Sequence, residues 1–155
     1  FRGPLLAQNS IDRFLGYKEA LEENNFTYDS SLVYICECGD SSFEEGKFNA
    51  KKLIQDHDDI DGVFINTDLV AIGALTVFTE MGIKVPDDIS IVGFSNWFMA
   101  SVISPSLTTI NQPGFKMGKA AFKQLYKELN QRKKNSPIVY KKIILATELV
   151  KREST

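Results

Sequence analysis

Two spacings of apolar residues alternate along the chain. Over residues 10–25, Ile11, Phe14, Leu15, Ala20 and Leu21 recur near the 3.6-residue repeat of a helix face. Ser10 stands where a cap would open that helix, and Asn24-Asn25 where it would end. Residues 32–38 form a short β-prone run. Ser42-Phe43-Glu44-Glu45 then matches a capping box that opens a helix to about Asp56. Residues 62–66 are expected to be a strand, with Thr67-Asp68 leading into an almost wholly apolar helix over 69–81 that Gly82 closes. A third strand is expected over 89–94 after the turn Pro86-Asp87-Asp88, and a fourth over 107–110. Pro113 suits the first turn of a helix with Met117, Ala121, Leu125 and Leu129 on one face, and residues 138–150 read as extended. Strands alternating with helices of 10 to 15 residues predict an α/β fold, a doubly wound parallel sheet with helices on both faces.

That architecture directs attention to the carboxyl ends of the strands, where open parallel sheets bind their ligands. Gln8 and Asn9, then Gly39, Asp40 and Ser41, then Asn66 and Thr67, then Ser95 and Asn96, then Asn111 and Gln112 occupy these positions. Taken singly, each is accounted for as a helix cap; taken together, they form an edge suited to a polyhydroxyl or similar neutral ligand. Arg13 sits in the first turn of its helix, where the macrodipole disfavours a cation. It either pairs with an acid such as Asp12 or Asp40 or points into the cleft as a donor fork. Phe43 and Trp97 also flank strand ends, placed either to stack on a ring or to pack.

The bulk properties narrow the chemistry. The 155 residues, 43% hydrophobic, suffice for one domain without disulfides or metals, and a net charge of -2 gives no footprint for a polyanion. Cys36 and Cys38 are expected to point to opposite faces of an extended run, so they are read as packing residues and fit a reduced compartment better than a secreted scaffold. No apolar window is long enough to span a membrane. The chain opens mid-pattern at Phe1-Arg2-Gly3-Pro4, as a piece of a longer polypeptide would. No glycine-rich phosphate loop, dinucleotide fingerprint or nucleophile elbow is present. His57, the single histidine, lies in the acidic stretch Asp56-His57-Asp58-Asp59 and has no second ligand at metal spacing. Asp68 is assigned to helix capping. An enzyme is therefore not expected, nor a cofactor.

At this point the motifs resemble a family. Val85-Pro86-Asp87-Asp88-Ile89-Ser90-Ile91-Val92-Gly93-Phe94 followed by Pro105-Ser106-Leu107-Thr108-Thr109-Ile110-Asn111-Gln112-Pro113 closely resembles LacI-type repressors. Arg13-Phe14-Leu15-Gly16-Tyr17 is similar to the family's R-x-x-G-[FYW], and Asp68-Leu69-Val70-Ala71-Ile72-Gly73-Ala74 to its D-x-x-A-x-G-A. The ending at residues 148–155 matches as well. The resemblance implies a periplasmic-binding-protein-like (type I) fold of two lobes that hold an effector between them, preceded by a DNA-binding helix-turn-helix. Residues 1–155 correspond to the C-terminal part of the effector-binding domain, mainly its C-terminal lobe.

By position, the resemblance implies effector contacts at Asn9, Arg13, Thr67 and Gln112. Ser41 falls where an aromatic often stacks on the ligand, a role that Phe43 could take over. Ser95 stands where many members carry Asp, so the usual monosaccharide pose is not expected to carry over. Ile72 and Ile103 fall at dimer positions, in keeping with the apolar helix over 69–81. The implied partners are a small-molecule effector, carbohydrate or related, a second copy of the chain, and operator DNA through the absent N-terminal domain. The implied mechanism is a ligand-dependent change of lobe angle. The alternative is a periplasmic sugar-binding protein of a transporter.

Overall fold

A computed structural model describes residues 1–37, 42–134, 137 and 140–155. Four strands form one sheet in the order β1 (Gly62–Phe64), β2 (Ser90–Ser95), β3 (Thr108–Asn111) and β4 (Glu148–Val150). β1, β2 and β3 are parallel; β4 runs antiparallel to β3 at the edge, a departure from the expected all-parallel sheet. Beyond β1 the pattern continues weakly. Asn66 N–H donates to Phe1 O at 3.1 Å, Arg2 N–H to Tyr34 O at 2.9 Å and Cys36 N–H to Arg2 O at 2.8 Å. Among the described residues of the strand expected over 32–38 there is one parallel bridge, Arg2↔Ile35; Cys38 lies outside the described residues.

Helices cover both faces, because successive strand residues point opposite ways. Helix α1 (Gln8–Glu23) lies over one face: Tyr17 stacks on Phe64 at 6.5 Å and Arg13 on Phe94 at 3.9 Å. On the other face α2 (Phe43–Asp56) packs against α3 (Asp68–Glu80), above the buried Ile91. The two helices meet closely at glycines. A Cβ on Gly73 would lie 2.1 Å from Phe43 O, and one on Gly46 2.1 Å from Val70 O. The two sides of α3 are thus covered by the sheet and by α2 of the same chain. This leaves Leu69 exposed and Ile72 and Thr76 half-buried.

The caps explain the helix boundaries. The expected capping box forms: Ser42 Oγ accepts from Glu45 N–H at 3.2 Å and Glu45 Oε2 from Ser42 N–H at 3.1 Å. Two expected caps do not. Ser10 is inside α1, whose N-cap is Ala7 with no side-chain cap bond. The α3 cap is Thr67, whose hydroxyl accepts from Val70 N–H, while Asp68 turns inward to other partners. The first misplacement is about one turn and the second a single residue, ambiguities of boundary that clusters of Ser, Thr and Asp create. His57 is the C-cap of α2 and meets the Tyr34 ring edge-on at 6.5 Å.

Helix α4 (Gly114–Lys133) begins after Pro113 as expected but covers nothing: it has no buried residue, and Phe115 is 84% and Leu125 54% exposed. The chain then returns to β4, the one strand among the described residues of the stretch 138–150, and its tail is bonded onto the sheet. Ser154 is fully buried, its hydroxyl donating to Ile91 O at 2.7 Å and accepting from Thr108 N–H at 2.8 Å.

Candidate functional site

The carboxyl ends of β1, β2 and β3 lie side by side, and α1 brings a guanidinium to them. Arg13 is one turn and a half into α1, and its Nη1 donates to Asn66 O, just past β1, at 2.7 Å. The same guanidinium stacks on Phe94 of β2. Of the acids considered as its partner, Asp12 accepts from Gln8 at 2.7 Å, and Asp40 lies outside the described residues. Burial lowers the Arg13 pKa from the usual arginine value. The cation-π contact offsets part of that desolvation.

The turn after β2 is braced from three sides. Ser95 and Asn96 both have positive φ, 123° and 52°, a region that side chains other than glycine avoid, with asparagine the most tolerant. Asn96 N–H donates to Thr109 Oγ1 at 3.2 Å, its Nδ2 to Asn111 Oδ1 at 3.2 Å, and its Oδ1 accepts from Arg152 at 2.7 Å. Asp68 completes the brace. Fully buried, its oxygens accept from Trp97 N–H at 2.7 Å and Thr109 Oγ1 at 2.6 Å. Gly93 makes room for it, since a Cβ there would come within 2.4 Å of Asp68 Oδ1. The carboxylate also lies in the first turn of α3, where the helix dipole favours it.

Of the residues singled out from the sequence, Arg13, Thr67, Ser95 and Gln112 stand at or beside these strand ends, half-buried. Asn9 is exposed at the start of α1, where its Oδ1 accepts from Ser10 N–H at 2.9 Å. Phe43 opens α2 as a half-buried residue with Lys47 Nζ 5.8 Å from its ring. Ser41 lies outside the described residues. Ile72 is half-buried on α3 and Ile103 packs at the margin of the core.

Sequence reasoning missed the bracing set. Asn96 was legible as an asparagine directly after a strand, where a left-handed residue suits a tight turn. Arg152 carried no local signal, because its partners Asn96 and Leu107 O are distant in sequence.

A cavity of about 110 Å³ runs between α1 and the sheet, lined among others by Arg2, Gly3, Ser10, Arg13, Phe14 and Asn66. Among the described residues no group of three or more His, Cys, Asp or Glu side chains could hold a metal. No helix among them is long and apolar enough to cross a membrane.

Residues 3–155 match the family model of the periplasmic binding protein-like domain. The ribose operon repressor of Halalkalibacterium halodurans is 32% identical over 154 residues, 99% of this chain and 44% of that protein. Among solved structures, a transcriptional regulator CelR–cellobiose complex matches at a TM-score of 0.88 and 28% identity, over 100% of this chain and 45% of its own. A LacI family transcriptional regulator from Enterococcus faecium with bound ribose matches at 0.82 and 28% identity, over 99% of this chain and 54% of its own. The chain spans less than half the length of that repressor.

Proposed function

The chain belongs to the periplasmic binding protein-like domain family and its relatives are LacI-type transcription regulators; from that premise we propose that it is the C-terminal part of the effector-binding domain of such a regulator. The effector is of the sugar class, as the cellobiose- and ribose-bound relatives suggest. It rests on the carboxyl edge, contacted by Arg13, Asn9, Thr67, Ser95 and Gln112, with Phe43 or Trp97 against a ring face. The observation that carries this reading is the convergence of Arg13, held over Phe94 and Asn66, with the braced turn at Ser95. A rigid donor fork beside a rigid turn is a preorganised half-site.

The other half of the site belongs to a lobe outside this chain. The bare apolar face of α4 supports this, since an amphipathic helix with no buried residue lacks its cover. Closure of the two lobes on ligand then changes how a dimer presents its DNA-binding domains, with Ile72 and Ile103 on the dimer face. Ligand must bind one lobe arrangement better than the other for this to work. The transcription-regulator relatives favour this reading over a transporter's sugar-binding protein.

A thermal-shift screen of the full-length protein against mono- and disaccharides tests the reading, because ligand that binds only the native state raises the melting temperature. A shift that disappears in Arg13→Ala, with folding intact, is expected. A shift retained in that variant contradicts the assignment of Arg13.

A further inference from the structure

The cavity under α1 holds two buried polar groups, on Ser10 and Arg2, that the reading above leaves unexplained. Ser10 is 5% exposed, lines the cavity, and its hydroxyl has no hydrogen-bond partner. A buried hydroxyl without a partner costs on the order of 1–3 kcal/mol. Such a group points to something that binds there. Arg2 lines the same cavity; its Nε is buried without a partner and its guanidinium lies 4.2 Å from the Phe14 ring centroid. Arg13 is the second guanidinium on the cavity wall. Neither arginine makes an ion pair among the described residues, and both are held over aromatic rings instead.

No acidic side chain lines the cavity among the described residues. The N-cap of α1, Ala7, offers no side-chain bond and no acid lies in the first turn, so the positive end of the helix dipole adds to the two guanidiniums. Gly3 forms a cradle between polar groups, since a Cβ there would lie 2.7 Å from Asn66 Nδ2 and 3.1 Å from Ser10 Oγ. Hydroxyl, guanidiniums and helix N-terminus form a polar corner suited to an oxyanion, while most of the wall, including Phe14, Tyr17, Leu53, Ile60 and Phe64, is apolar and suited to the rest of a ligand.

Resting on the sensing reading, we infer that the effector is an anionic sugar derivative whose oxyanion, a phosphate monoester or a carboxylate, is seated against Ser10, Arg2 and Arg13. The rest of the effector extends to the polar edge at Thr67 and Ser95.

Calorimetric titration of the full-length protein with inorganic phosphate, glucose 6-phosphate, gluconate and glucose tests this, with amide chemical shifts to locate binding. The expected result is saturable binding of at least one anion that perturbs the Ser10 amide, at least ~10-fold tighter binding of an anionic sugar than of glucose, and weakening by salt. The phosphate and gluconate arms decide which oxyanion is taken. Ser10→Ala removes a hydroxyl that bonds to nothing in the empty protein, so it should fold normally yet bind the anion roughly 10-fold more weakly; Arg2→Gln and Arg13→Gln should abolish binding. Glucose binding as tightly as both anionic sugars, no anion perturbing Ser10, or unchanged affinity in Ser10→Ala would overturn the inference. Neutral-sugar binding that alters operator affinity would defeat the anion site and leave the sensing reading standing. An anion that docks at Ser10 with no ligand altering operator affinity would do the reverse.

Discussion

Replacing Asp68 with alanine should damage the fold and the candidate site together. The carboxylate is fully buried and accepts from Trp97 N–H and the Thr109 hydroxyl at 2.7 and 2.6 Å. Hydrogen bonds to a charged group contribute about 1.5–3 kcal/mol each, and an acid in the first turn of a helix up to about 1 kcal/mol. Removing the carboxylate also relieves its own desolvation, which offsets part of that sum, so a net loss of about 3–5 kcal/mol is expected. With a urea m value of about 2 kcal/mol/M, the midpoint should fall by ~1.5–2.5 M. Trp97 is the only tryptophan in the chain and its amide is one of the orphaned donors, so its fluorescence follows both unfolding and loosening of the turn. The Ser95–Asn96 backbone, at positive φ, should relax in the variant, and ligand affinity should drop even where the protein remains folded. A midpoint change below about 0.5 M, with Trp97 emission unchanged, would refute the claim that Asp68 holds this turn.

Two further outcomes follow from separate parts of the molecule. Tyr34 donates to Asp56 at 2.8 Å, and burial together with that bond pushes its pKa up to about 12. Above pH 10 the unfolded phenol ionises while the folded one keeps its proton, so stability should fall between about pH 10 and 12, by roughly 2–3 kcal/mol in all. Denaturation at stepped pH should show this slope in the wild type and lose it in Tyr34→Phe; an equal slope in both would assign it to other groups. Leu125→Glu on α4 should leave the stability of the 155-residue chain nearly unchanged, because the side chain is 54% exposed, but should lower the melting temperature of the full-length protein. Equal, negligible effects in both would contradict the missing cover over α4.

The elements were legible where one residue type has one structural use. Ser42 and Glu45 form the box their spacing specifies, and Gly82, at φ 74°, closes α3. The family motifs fixed the order of elements even where single boundaries drifted by a residue or two. What was not legible depended on contacts across the fold. Ser10 and Asp68 look like caps locally, but one is covered by α1 packing over Gly3 and the other is drawn to Thr109, 41 residues away. The β-prone run over 32–38 suggested a strand, yet among its described residues only Ile35 forms a bridge, with Arg2. For the candidate site, Arg13 was singled out as a cation expected in the first turn of a helix, but α1 begins at Gln8 and carries it in the second turn. Its partner, a backbone carbonyl and an aromatic face rather than an acid, was not legible, because neither is marked by charge.

The central claim is that ligand on the carboxyl edge changes DNA binding, and operator titration of the full-length protein tests it most directly. With an effector identified by thermal shift, operator affinity should change by about 10-fold or more, in line with coupling free energies of 1–3 kcal/mol. Arg13→Ala should bind operator like the wild type and ignore the effector. Effector binding that leaves operator affinity unchanged in the wild-type protein would contradict the account.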